Sequence, residues 1–177
     1  MTNLNIGDNW INFSLPGVDD KTHSLADFGD KETIAIIFSC NHCPYVRAWE
    51  DRMVQIQSDY MGKGVQLITI NSNDVRKHSE DSFDKMKKRA EEKDFNFPYL
   101  RDDSQEIARK YGAERTPEVF LFDRSGVLRY HGAIDDNCDN PKAVKKHYLR
   151  DALEAVLSGR TPSVEQTPPV GCTIKWK

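Results

Sequence analysis

The stretch that most constrains this chain is Cys40-Asn41-His42-Cys43-Pro44. A run of β-type residues, Thr33-Ile34-Ala35-Ile36-Ile37-Phe38, leads into the first cysteine. Beyond the second, apolar residues at Val46, Trp49, Met53, Ile56 and Tyr60 step by three and four, the spacing of one helical stripe. The two thiols therefore stand where a buried strand hands over to a helix N-terminus. Unpaired N–H groups and the helix dipole favour negative charge there, and the thiolate is the reactive form of cysteine. Pro44 suits the first helical turn, where the amide it lacks would have no partner. On this reading Cys40 caps the helix and attacks as the thiol of lower pKa, while Cys43, inside the first turn, resolves. His42, between them, tunes the Cys40 thiolate when its ring is positive.

Cysteine usage narrows the alternatives. The 177 residues contain four cysteines, Cys40, Cys43, Cys138 and Cys172. A structural zinc site at Cys40 and Cys43 needs two further ligands, and Cys138 and Cys172 form no second close pair. Cys138 reads as incidental. Cys172 is an accessory candidate: a tail thiol resolves a mixed disulfide if the tail folds back, and otherwise it is an unreactive cysteine in an added strand. A formal net charge of −3, with acids and bases mixed, offers no basic stripe for nucleic acid and no polybasic membrane patch. The first residues lack the pattern of a signal peptide and no apolar run is long enough to span a bilayer, so a cytoplasmic protein is expected.

The remaining pattern is α/β. A strand over 9–15 and a return over 21–24 form a hairpin, and Ser24 caps one turn. Strands are expected over 33–38 and 65–70, with a helix over 44–61 between them. A charged helix follows over 80–93, then a short helix ending near Gly112. Residues 118–122 and 127–131 make a hairpin about the turn Asp123-Arg124-Ser125-Gly126, and a last helix covers 141–157. Residues 1–160 read as one domain, with a proline-rich tail over 161–177 packing on or beside it.

The order strand, C-x-x-C, helix, strand, helix, hairpin, helix resembles the thioredoxin-like superfamily, in the branch of peroxiredoxins and thioredoxin-like reductases. Two motifs carry the resemblance, Cys40 to Pro44 and Arg115-Thr116-Pro117-Glu118. It implies a central mixed sheet flanked by helices, with an N-terminal hairpin extension and a helical insertion before the closing hairpin. It also implies a cis Thr116–Pro117 bond beside the cysteines, with the Thr116 backbone offered to a substrate chain. Classical members carry a buried acid where this chain has Ile34, which leaves the proton acceptor to Glu118 or Glu50.

The activity so implied is thiol–disulfide exchange on protein or small-molecule disulfides. It needs an external thiol or disulfide electron partner and no cofactor or resident metal. One alternative is a peroxiredoxin-type peroxidase, with Cys43-Pro44 meeting the peroxide and Arg115 as charge partner. Against it, that family's threonine or serine three residues before the reactive cysteine is Cys40 here. The other is a copper or zinc binding or delivery module. Copper-delivery proteins of this fold place three residues between their cysteines, and this chain places two.

Overall fold

The computed structural model describes residues 3–177. Strands β1 (Ser14–Pro16) and β2 (Thr22–Ser24) pair antiparallel as the N-terminal hairpin. The expected strand over 9–15 is mostly irregular; only an isolated bridge joins Asn9 to Val127. Ser24 then closes a capping box over a short 3-10 turn, its N–H donating to Asp27 Oδ2 at 2.9 Å.

Five strands make the central sheet: β3 (Thr33–Phe38), β4 (Val65–Asn71), β5 (Tyr99–Arg101), β7 (Glu118–Phe122) and β8 (Leu128–Gly132), in the order β5-β4-β3-β7-β8. Strands β3, β4 and β5 run parallel, whereas β7 and β8 are antiparallel to their neighbours. Every residue of β3 is buried, as a central strand covered on both faces demands. Its side chains divide by the two-residue period of a strand. Ala35 and Ile37 join the core that packs on helices α1 (Pro44–Tyr60) and α4 (Tyr148–Leu157). Ile34, Ile36 and Phe38 join the core that includes Ile107, Ala108 and Tyr111 of α3 (Glu106–Tyr111). This is the thioredoxin-like α/β fold.

Two helices are shorter than their pattern implies. The charged helix begins only at Phe83 (α2, Phe83–Glu92), because Ser82 turns extended and caps it, accepting from Lys85 N at 3.4 Å. Asp81 is thereby released from the helix and buried elsewhere. The last helix begins at Tyr148 rather than Pro141. Asp136 holds residues before it extended, accepting from the Lys145 amide at 3.0 Å and donating its own amide to the Lys146 carbonyl.

The tail packs closely on the domain. At the β8 edge the Thr167 amide donates to the His131 carbonyl and the His131 amide to the Glu165 carbonyl. Further on, β9 (Cys172–Thr173) pairs antiparallel with β6 (Arg115–Thr116), with Thr116 opposite Cys172. Ile174 is buried, and Lys175 bonds to Asn73 and Asp74 beyond the end of β4.

Candidate active site

The register of β3 and β7 brings the site together. Phe38 pairs with Glu118, so two residues on in one chain and two back in the other, Cys40 meets Thr116. Cys40 Sγ lies 3.5 Å from Thr116 Oγ1. Cys43 Sγ lies 3.4 Å from the Thr116 carbonyl oxygen, to which its thiol form donates. The Thr116–Pro117 bond is cis. Both cysteines are reduced and almost fully buried, at 3% and 1% exposure.

Their places at the helix start differ from the sequence expectation, in which Cys40 caps the helix. Helix α1 starts at Pro44, so Cys43 and not Cys40 is its N-cap residue. The Cys43 pKa is lowered to about 4. The foremost cause is the hydrogen bond its sulfur takes from the Cys40 thiol; the Cys172 thiol and the Val46 amide add to it, against the opposing effect of burial. The Cys43 side chain closes no cap hydrogen bond of full geometry. Cys40 shifts the opposite way, raised well above the usual thiol range by its bond to Cys43, by burial and by the negative charge of Asp81. Pro44 occupies the first helical position and leaves Cys43 as the last residue before the helix.

Asp81 is the site residue that sequence reasoning missed, because it was absorbed into the charged helix. It is fully buried. Its Oδ1 accepts from the Asn41 amide at 2.7 Å and Asn71 Nδ2 at 3.1 Å, and its Oδ2 from Asn73 Nδ2 at 2.9 Å. His42 Nδ1 approaches Oδ2 at 2.6 Å but off the direction of a hydrogen bond. The His42 ring stacks on His78 with centroids 5.8 Å apart. His42 therefore faces Asp81 rather than serving Cys40 alone. Asp81→Asn is expected to strand one of the three donors, with a stability loss of about 1–3 kcal/mol in denaturant titration. It should also lower the Cys40 pKa, since one cause of its elevation disappears.

Cys40, His42 and Asp81 bring a sulfur, an imidazole nitrogen and a carboxylate oxygen within 4.8 Å of one another, and His42, His78 and Glu80 do likewise. These are the residues that could hold a metal. In the first group, both Asp81 oxygens already serve donors of the protein itself.

The two acids expected to accept a proton are engaged elsewhere. Glu50 is buried against Arg89, whose Nε donates to it at 3.2 Å. Glu118 Oε2 accepts from the amides of Glu114 and Arg115 at 2.7 and 2.8 Å, and its Oε1 meets His131 Nε2 at 2.6 Å. Glu118 is thus a positioning residue for the segment that presents Thr116. Glu118→Ala leaves a buried partner and two amides unpaired, so unfolding experiments should show a loss of about 3–5 kcal/mol.

The Thr116 backbone is not open to a substrate chain, as the resemblance implied; the protein's own β9 pairs with it. Arg115 Nη1 donates to the Gly171 carbonyl at 3.0 Å and so fastens this tail. Cys172 is partly exposed and packs against the core cluster that holds Cys40 and Cys43. Cys138 stands apart, its Sγ beside Asp139.

Solved structures share this architecture. An uncharacterized conserved protein from Geobacillus kaustophilus is 41% identical, with a TM-score of 0.92 over 98% of this chain and 93% of that one. A hypothetical protein from Sinorhizobium meliloti is 36% identical, with a TM-score of 0.93 over 99% and 97%. A protein described as the thiol:disulfide interchange protein DsbE from Chlorobium tepidum is 24% identical, with a TM-score of 0.69 over 88% and 99%, and shares the fold. No curated protein sequence matches the chain. The AhpC/TSA family model matches residues 6–131, a span that holds both cysteines, Asp81 and the Thr116–Pro117 bond and stops short of the tail. With its thioredoxin-like fold and paired thiols at the helix start, this chain belongs to the AhpC/TSA family.

Proposed function

We propose that the protein is a thiol–disulfide oxidoreductase whose redox couple is Cys40 and Cys43. The observation that carries this reading is the placement of two buried, reduced thiols at the start of α1 and against one residue, Cys40 Sγ 3.5 Å from Thr116 Oγ1 and Cys43 Sγ 3.4 Å from the Thr116 carbonyl oxygen, with their pKa values displaced in opposite directions. Cys43 thiolate attacks a substrate disulfide, forming a mixed disulfide and releasing the first substrate thiolate. The charge at Cys43 is then gone, and with it the cause that most raised the Cys40 pKa. Cys40 loses its proton, attacks Cys43 Sγ and expels the second substrate thiolate, closing the Cys40–Cys43 bridge. Two protein thiols are oxidised and one substrate disulfide becomes two thiols. An external thiol reverses these steps to restore the couple.

One observation favours a peroxidase as the second reading: the anionic thiol is Cys43, which precedes Pro44. A peroxide would convert Cys43 thiolate to a sulfenic acid, and Cys40 would condense with it to the same disulfide, releasing water. Arg115, expected as charge partner there, instead bonds the tail carbonyl. Among the described residues no helix is long and apolar enough to cross a membrane, and a reducing cytoplasmic setting suits a dithiol that works by turnover. Insulin reduction and hydrogen peroxide consumption, assayed side by side, test the choice. Insulin reduction that needs both Cys40 and Cys43 supports the oxidoreductase. Peroxide consumption alone overturns it.

A further inference from the structure

We propose that Cys172 is a third redox thiol, which receives the disulfide from the buried Cys40–Cys43 pair and hands it to external thiols. The inference rests on the oxidoreductase reading and adds to it a residue of the tail, outside the span that the family model matches.

Three independent features place Cys172 there. First, β9 lies on the edge of Thr116 as an added strand, Thr116 opposite Cys172, in the manner of an extended peptide joining a sheet edge. Thr116 consequently stands between Cys40 on one side and Cys172 on the other. Second, the strand is closely fitted. A Cβ on Gly171 would lie 2.0 Å from the Thr116 carbonyl oxygen, and Arg115 Nη1 and the Glu114 carbonyl hold residues on either side of Cys172. Third, the thiols are graded in access. Cys40 and Cys43 are buried, whereas Cys172 is partly exposed and packs against the core cluster that holds them both, opposite the Thr116 whose carbonyl oxygen lies 3.4 Å from Cys43 Sγ.

The chemistry follows from that placement. In the reduced protein, burial and the nearby Cys43 sulfur push the Cys172 pKa up to about 11, which keeps it a quiet thiol. Once Cys43 is in the Cys40–Cys43 disulfide it carries no charge, and Cys172 gives up its proton more readily. Cys172 thiolate then attacks Cys43 Sγ. The Cys43–Cys172 bond forms, the Cys40–Cys43 bond breaks, and Cys40 leaves as a thiolate that takes a proton. No electrons are gained or lost in this step. An external thiolate next attacks the more accessible sulfur, Cys172, and expels Cys43. A leaving thiol of low pKa departs faster, and Cys43 is the low-pKa member. A second external thiol frees Cys172, so that two external thiols become one disulfide and the protein regains its thiols.

The test uses full-length protein carrying Cys138→Ser, oxidised with one equivalent of diamide, quenched with acid, alkylated and mapped by mass spectrometry. With Cys40→Ser added, we expect one intramolecular Cys43–Cys172 bridge; with Cys43→Ser added, no Cys40–Cys172 bridge. With Cys172→Ser added, the Cys40–Cys43 bridge should form but be reduced by glutathione at least about tenfold more slowly. The parent protein, equilibrated in glutathione buffer, should yield both the Cys40–Cys43 and the Cys43–Cys172 peptides, a readout that does not depend on how the variants fold. Absence of the Cys43–Cys172 peptide from both the parent and the Cys40→Ser protein overturns the relay, as does an unchanged reduction rate in Cys172→Ser. Failure of the Cys172→Ser protein to form the Cys40–Cys43 bridge would instead count against the oxidoreductase reading itself.

Discussion

Cys43→Ser is expected to lower disulfide exchange at pH 7 by at least about tenfold, because it removes the sulfur held as a thiolate and leaves Cys40, still buried and beside Asp81, mostly protonated. The wild-type protein keeps an anionic sulfur at Cys43 down to about pH 4, visible as thiolate absorbance near 240 nm. That absorbance should vanish in Cys43→Ser. In Cys40→Ser the hydroxyl still donates to Cys43, so most of the low-pH thiolate should survive. In Cys40→Ala the foremost cause of the shift is gone, and the Cys43 pKa should rise. Stability follows the same group. The folded pKa of about 4 lies below the ~8.5 of an unfolded cysteine. Between those values the unfolded chain binds more protons, so this contribution to the stability of the reduced protein grows as pH rises through the window. It is lost as pH falls to about 4, and Cys43→Ser should lack it. Denaturant midpoints of the two reduced proteins, compared at pH 5 and pH 8, measure the difference.

The second large effect belongs to the tail. Gly171→Val places a Cβ where the Thr116 carbonyl oxygen stands, 2.0 Å away, with the carbonyl carbon at 2.6 Å. Both are backbone atoms and neither can swing aside. Strand β9 should therefore lift from β6, taking with it the Arg115–Gly171 bond and the burial of Ile174, which is 3% exposed. Losing that one side chain from the core costs about 1.5–3 kcal/mol. Limited proteolysis should then remove the last residues of Gly171→Val while the sheet survives. The Thr116 amide should exchange with solvent far faster than in the wild type. A tail that stays protected in the variant would show that β9 is held by something other than this close approach.

Much of the fold was legible because it rests on local patterns. The run from Thr33 to Phe38 could only be a buried strand, and the stripe from Val46 to Tyr60 only a helix packed on it, as both prove to be. Where tertiary bonds override local preference, the pattern misled. Residues 141–147 have helical composition, but only Pro141–Ala143 make a short 3-10 turn and Asp136 ties Lys145 and Lys146 outside a helix, while residues 80–82 turn aside so that Asp81 can enter the site. The cysteines were legible as a pair, but their ranking was not, because it depends on the hydrogen bond between the two thiols and on the buried charge of Asp81, which no local pattern shows. Asp81 and Cys172 lie 41 and 132 positions from Cys40 in the chain; only the sheet register brings such residues to one place.

The most direct test of the central claim is a glutathione redox titration of the protein carrying Cys138→Ser and Cys172→Ser, which isolates the pair. Intact mass and peptide mapping would be read at each potential. The account predicts one two-electron transition, a loss of two hydrogens, and a Cys40–Cys43 bridged peptide as the sole oxidised product. The low Cys43 pKa stabilises the reduced form, so the midpoint should move to more reducing potentials in a variant that raises that pKa, by about 30 mV for each 1.4 kcal/mol. Thiols that stay reduced across the range, or a glutathione adduct on Cys43 that Cys40 never displaces, would contradict it.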